Sequence, residues 1–276
     1  MKIFLILLLG VFLNAESVTS NTLRLSGATT IQPIIEKIAD IYYKETKEPL
    51  LIEGGGTESG IEKIIDGRSH VAMVARNLTE EEKNRFAYAT IAVDAVAIIY
   101  NKNQKIKNLT KNELIGIYDG SIKKWKDVGC ECPNLIVISR RTDRATLNVF
   151  EDYSGLKSPK RKNLPSDAKL IREDAWEAES NINTLLWVAG LKGSIAIVSH
   201  AEAERYIAMG YPIRISTIDN IYPSKESIKE GAYPIKRELN LVWQIDNPKV
   251  ERFAKWIKND SFKKAVEELG FVAVER

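Results

Sequence analysis

The chain has 276 residues, 44% of them hydrophobic and 28% charged, with a formal net charge of +3. That composition excludes a disordered or fibrous chain and is enough for one large domain or two lobes. The net charge is small and the lysines and arginines are scattered, which excludes the basic stripe of a nucleic-acid-binding surface.

In chain order, Met1-Lys2 is a short positive segment, Ile3 to Leu13 is apolar, and Asn14-Ala15 precedes polar Glu16-Ser17. This pattern predicts a secretory signal peptide over residues 1–15, with Leu13 as its atypical feature. The apolar run is too short to span a bilayer and no later stretch approaches that length, so the expectation is a soluble, exported, periplasmic protein. No cysteine follows the apolar run, which argues against a lipid-anchored N-terminus.

Leu23 and Leu25 predict a strand leading into Ser26-Gly27-Ala28-Thr29-Thr30, after which Ile31, Ile34, Ile35, Ile38 and Ile41 fall near helical spacing. Strand, tight glycine turn and helix start is the geometry of an anion site. The first helical turn leaves N–H groups unpaired at the positive end of the dipole, and Thr29 and Thr30 add hydroxyl donors. One such turn alone also fits an ordinary threonine N-cap.

The plan recurs twice. Leu50-Leu51-Ile52 predicts a strand ending in Glu53-Gly54-Gly55-Gly56-Thr57-Glu58-Ser59-Gly60, with a helix after it. Leu135 to Ser139 predicts a strand ending in Arg140-Arg141-Thr142-Asp143-Arg144-Ala145-Thr146, again before a helix. Three helix N-termini converging on one cleft would cage an oxyanion, with Arg140 as a bidentate fork.

Between and after these turns the chain alternates. Val71 to Ala75 reads as a strand, and Thr79-Glu80-Glu81-Glu82 opens a helix with a capping box. Thr90 to Tyr100 is an apolar run interrupted by Asp94, the pattern of a buried strand passing between lobes. Thr110 and Glu113 cap a helix that stops at Gly120. Residues 154–170 form a polar, Pro/Lys-rich loop, followed by a helix from Ile182 to Ala189, a strand from Gly193 to Val198 and a helix from Ala201 to Met209. Ile213 to Ile218 is a second candidate crossover strand, Leu239 to Gln244 a last strand, and Pro248 to Leu269 amphipathic helices. Alternation of this kind predicts an α/β protein with mainly parallel sheets, whose ligands sit at the carboxyl ends of the strands.

Two cysteines, Cys130 and Cys132, flank one glutamate. A local disulfide is open as a reading, whereas a zinc site would need four ligands and finds no histidine nearby. His70 and His200 are the only histidines. No nucleophile elbow or histidine-rich metal set is present, so the expectation is a non-enzymatic protein without metal or cofactor.

These residues resemble the periplasmic phosphate-binding proteins of ABC importers from Thr22 to nearly the C-terminus. Ser26-Gly27-Ala28-Thr29 resembles the family's first ligand loop and Gly54 to Ile61 its second. The run Asn108-Leu109-Thr110 through Gly120 to Trp125 matches the family's Asn-Leu-Thr helix, glycine turn and tryptophan. The resemblance implies two α/β lobes joined by crossover hinge strands and closing on an anion. Its expected lobes are residues 22–93 plus 217–276, and residues 94–216.

It also implies ligand-binding roles for Thr29, Thr30, Thr57, Arg140 and Thr146; Ala28 of the first loop and Arg144, whose charge makes the cleft more cationic, complete the expected ligand-binding set. Implied as well are inorganic phosphate or a similar oxyanion as ligand, a membrane permease of an ABC importer as partner, and a monomer. Two departures stand out. The family's Gly-Ser-Gly-Thr third loop here reads Asp143-Arg144-Ala145-Thr146, and the position where some relatives carry a proton-accepting aspartate is Ala75. These departures motivate an alternative: a divergent member that binds another anion, organic ones included, as receptor or sensor.

Overall fold

The computed structural model describes residues 21–274. The segment read as a signal peptide lies outside the described residues. The first unit is β1 (Leu23–Gly27), α1 (Gln32–Thr46), β2 (Leu50–Gly54), α2 (Thr57–Ile65), β3 (Val71–Val74) and α3 (Glu80–Arg85). β4 (Phe86–Asn101) follows, then β5 (Asn108–Leu109), α4 (Lys111–Asp119), β6 (Ile136–Arg140), α5 (Ala145–Ser154) and β7 (Trp176–Ala178). The chain continues through α6 (Asn181–Gly190), β8 (Ser194–Ser199), α7 (His200–Ala208), β9 (Ile213–Ile215), β10 (Thr217–Ile218) and α8 (Lys225–Glu230). It ends in β11 (Lys236–Gln244), α9 (Pro248–Trp256), α10 (Asp260–Glu268) and β12 (Val272–Ala273).

The main sheet runs in the order β2-β1-β3-β11-β4-β8-β6-β7. Its flanks are parallel, β2 and β3 on either side of β1, and β7 and β8 on either side of β6. The strands between the flanks are antiparallel to their neighbours. β4 belongs to both halves: residues 86–95 pair with β11, and residues 96–101 pair with β8 and β9.

Each half buries apolar side chains on both sheet faces. In the first, Ile34, Ile35, Ile38 and Tyr42 of α1 lie on one helix face and pack with Leu23, Leu25, Met73 and Phe253, while Ile61 and Ile64 of α2 cover the other face with Val74. Full burial of each such side chain is worth about 1.5–3 kcal/mol. In the second, Ile117, Tyr118, Leu147 and Phe150 cover one face, and Leu185, Val188 and Ala203 the other. This is the two-lobed arrangement expected, with a strand shared between the lobes.

The second crossing differs from the sequence reading. The run from Ile213 to Ile218 breaks into β9, which pairs with the far end of β4, and β10, which pairs with β5. The chain returns at β11, which begins three residues before Leu239. Ile218, Ile228, Tyr233 and Ile235, in the segment expected with the first lobe, pack into the second core. Both expected capping boxes form, at Thr79 with Glu82 and Thr110 with Glu113. Cys130 and Cys132 are joined in a disulfide.

Candidate functional site

Among the described residues, seven of the ten α-helices begin with a side-chain cap, supplied by Thr79, Thr110, Ser180, Ser199, Ser224, Asn247 and Asn259. The other three, α1, α2 and α5, begin without one. These are the three helices that follow the Gly27, Gly54 to Gly60 and Arg140 to Thr146 turns. Helix starts lacking a side-chain cap keep N–H donors available to another acceptor.

The three ends meet. Gly27, at φ +138°, sends its carbonyl to the N–H groups of Gly55 and Gly56, each at 2.9 Å, tying the first turn to the second. A Cβ on Gly27 would lie 2.3 Å from the Met73 carbonyl oxygen, so only glycine fits this approach. A Cβ on Gly56 would lie 2.9 Å from the Asp143 carbonyl oxygen, which places the start of α2 against the turn before α5.

Arg237 links the remaining pair. Its Nη1 donates to Thr146 Oγ1 at 3.0 Å and its Nη2 to Thr30 Oγ1 at 3.2 Å. The same guanidinium grips Asp94 Oδ2 from Nη2 at 2.8 Å and Nε at 3.2 Å.

Three threonine hydroxyls therefore receive hydrogen bonds from N–H donors. Thr30 and Thr146 accept from Arg237, and Thr57 Oγ1 accepts from the Ala75 N–H at 3.1 Å. A hydroxyl with a lone pair so occupied has its own proton to give. Thr30, Thr57 and Thr146 are all buried, so the array favours a ligand that only accepts.

Arg140, at the end of β6, is 2% exposed. Its Nη1 donates to Asn181 Oδ1 at 2.9 Å and Thr184 Oγ1 at 2.7 Å, while its Nε is buried without a hydrogen-bond partner. Both partners are neutral. Burial pushes the guanidinium down to about 9, Glu202 opposing and Arg237 and Arg144 adding to the shift, so it stays a cation at neutral pH. A buried cation without a carboxylate in contact is costly, and a bound anion is the natural compensation.

The other expected site residues are nearby with different geometry. Ala28 is buried and its N–H is taken by the Met73 carbonyl at 2.8 Å, so it walls the turn and brings no free donor. Thr29 is partly exposed and lines a cavity of about 190 Å3 with Gln32, Ser180, Asn181 and Glu202. Arg144 is the N-cap residue of α5, with Nε 3.4 Å from Asp143 Oδ1. Arg141 is at the surface, paired with Glu179 and Asp143.

Five buried polar residues of this centre escape the sequence reading of the site: Asp94, Asn181, Thr184, Glu202 and Arg237. Asp94 gave a signal, as the one charge inside an apolar run. Glu202 is held above the usual carboxylate range by burial, which the hydrogen bond from Asn181 opposes. No group of three or more His, Cys, Asp or Glu side chains that could hold a metal occurs among the described residues, and none of their helices is long and apolar enough to cross a membrane.

Known proteins of similar sequence and shape agree with this architecture. The phosphate-binding protein PstS of Borreliella burgdorferi is 26% identical over 255 residues, covering 91% of this chain and 89% of the relative. A substrate-binding protein of Clostridium perfringens, solved with bound phosphate, superposes with a TM-score of 0.81 at 22% identity over 92% of this chain and all of the other. An ABC-type phosphate transport receptor of Vibrio cholerae superposes with a TM-score of 0.73 at 26% identity, covering 91% of this chain and all of the other. The family model of the PBP superfamily domain matches residues 14–261, and the chain belongs to that family.

Proposed function

We propose that this protein is a non-catalytic solute receptor that captures inorganic phosphate between its lobes and delivers it to the membrane permease of an ABC importer. The observation that carries the reading is the meeting of three helix starts without side-chain caps beside buried Arg140, whose Nε has no partner. Thr29 and Thr30 of the first turn, Thr57 of the second, and Arg140, Arg144 and Thr146 of the third supply the donors, with Ala28 as wall. Similarity to proteins named for phosphate binding or transport supports the same ligand.

Affinity in such a cage comes from charge-assisted and backbone hydrogen bonds shielded from water. Binding proceeds by lobe closure, because the donors belong to both lobes. The changed third loop, the ground for a larger organic anion, keeps Arg140 and Thr146 in the buried network. Export to the periplasm follows from the signal-peptide pattern of residues 1–15, and a single two-lobed unit suffices for docking to a permease.

Isothermal titration of the mature protein, refolded after ligand removal, tests this against phosphate, arsenate and sulfate. The expected result is saturable phosphate binding that Arg140→Ala abolishes. Absence of any heat with phosphate or arsenate would overturn it.

A further inference from the structure

Arg140 can serve an anion only if its free edge is aimed, and its Nη1 is held by the side chains of Asn181 and Thr184. Asn181, the first residue of α6, is 3% exposed and is hydrogen-bonded through both ends of its amide. Oδ1 accepts from Arg140 Nη1 at 2.9 Å, while Nδ2 donates to Glu202 Oε1 at 3.0 Å and to Thr30 Oγ1 at 3.3 Å. The orientation of the amide is dictated by Arg140: a guanidinium only donates, so Oδ1 faces it and Nδ2 is left for Glu202 and Thr30. Asn181 and Glu202 line the cavity of about 190 Å3 described above.

We propose that Glu202 is a positioning residue that acts through Asn181, locking the amide so that its oxygen holds Arg140 Nη1 and leaves the Nε edge for the anion. The same amide reaches Thr30 in the first ligand turn, so the alignment of Arg140 is tied to the approach of the two lobes. Glu202 is connected to Arg140 through the Asn181 amide, which bonds to both. The inference rests on the phosphate reading only for its affinity readout.

The test is a double-mutant cycle read by phosphate titration. Glu202→Ala takes a buried acceptor away from Asn181 Nδ2, so it is expected to weaken phosphate binding by roughly tenfold or more. Glu202→Gln keeps an acceptor for Asn181 Nδ2 and is expected to stay within about twofold of the parent, which a role for the charge alone would not allow. In an Asn181→Ala background, Glu202→Ala should add less than about twofold, since the path it acts through is gone. Equal losses from the Ala and Gln variants, or additive losses in the cycle, would overturn the inference.

A second readout needs no phosphate. The Asn181 side-chain amide should give a resolved pair of 15N-correlated signals in the parent and Glu202→Gln proteins and an averaged or broadened pair in Glu202→Ala. Unchanged signals in Glu202→Ala would overturn the positioning role even if the protein binds no phosphate. A parent that binds no phosphate while the amide responds as expected overturns the phosphate reading alone.

Discussion

Arg237 and Asp94 stand directly opposite each other in the β11–β4 ladder, 2.8 Å apart through Nη2 and Oδ2, with both side chains 1% exposed. The pair lies where the two strands that connect the halves run side by side, and it orients Thr30 and Thr146 from opposite sides of the cleft. Removing one partner of a buried pair leaves an uncompensated charge. Arg237→Met is therefore expected to cost about 3–5 kcal/mol in urea unfolding, and the Asp94→Leu/Arg237→Met double variant to recover part of that loss. A double variant as unstable as the single one would refute this account of the pair.

Thr57 Oγ1 accepts from the Ala75 N–H, and in the proposed phosphate site its own proton is left for the ligand. Thr57→Ser preserves both and should leave phosphate affinity nearly unchanged. Thr57→Ala removes both and should weaken binding about tenfold or more, in line with one hydrogen bond to a charged group. Titration of the two variants side by side checks the difference.

Gly56→Ala introduces a methyl at φ +100° and pushes it toward the Asp143 carbonyl. It should lower both the melting temperature and the phosphate affinity, because it pries the α2 start from the α5 turn. Gly67→Ala is the control: its φ is +69° and its Cβ would meet nothing within 4 Å, so backbone strain alone applies. Its melting temperature should fall while affinity stays at the parent value.

His70 Nδ1 accepts the Arg24 N–H at 2.9 Å, which requires a neutral imidazole. Burial, reinforced by Arg24 and Lys249, pushes the histidine down to about 4. Between that value and the ordinary 6.5, the unfolded chain binds more protons than the folded one, so this residue's contribution to stability is present above pH 6.5 and is lost as pH falls toward 4. Denaturant midpoints measured across that window should decline with acid, and His70→Asn should flatten the decline.

Much of the architecture was legible because local signals and tertiary structure agree. Thr79 and Glu82, Thr110 and Glu113, and Gly120 mark helix ends by chemistry that needs no distant partner. The ligand turns were readable for the same reason, as glycine and hydroxyl residues between a strand and a helix. Arg237 and Asn181 were not, since each becomes part of the site only through tertiary contacts, 91 to 207 residues away along the chain for Arg237 and 21 to 151 for Asn181. The break between β9 and β10 was hidden because an apolar run looks the same whether it crosses between lobes or pairs within one. Register, which periodicity does not encode, made the difference.

The sharing of β4 between the two halves bears on how the molecule comes apart. Ala92 contributes to the first core, Val96 and Ile98 to the second, and all three belong to one uninterrupted strand. Neither half can lose this strand without opening the other, so the lobes lack the independence of beads on a string. Unfolding should be one cooperative event, with the slowest-exchanging amides along the middle of β4 and the faster ones on the flanking β2 and β7.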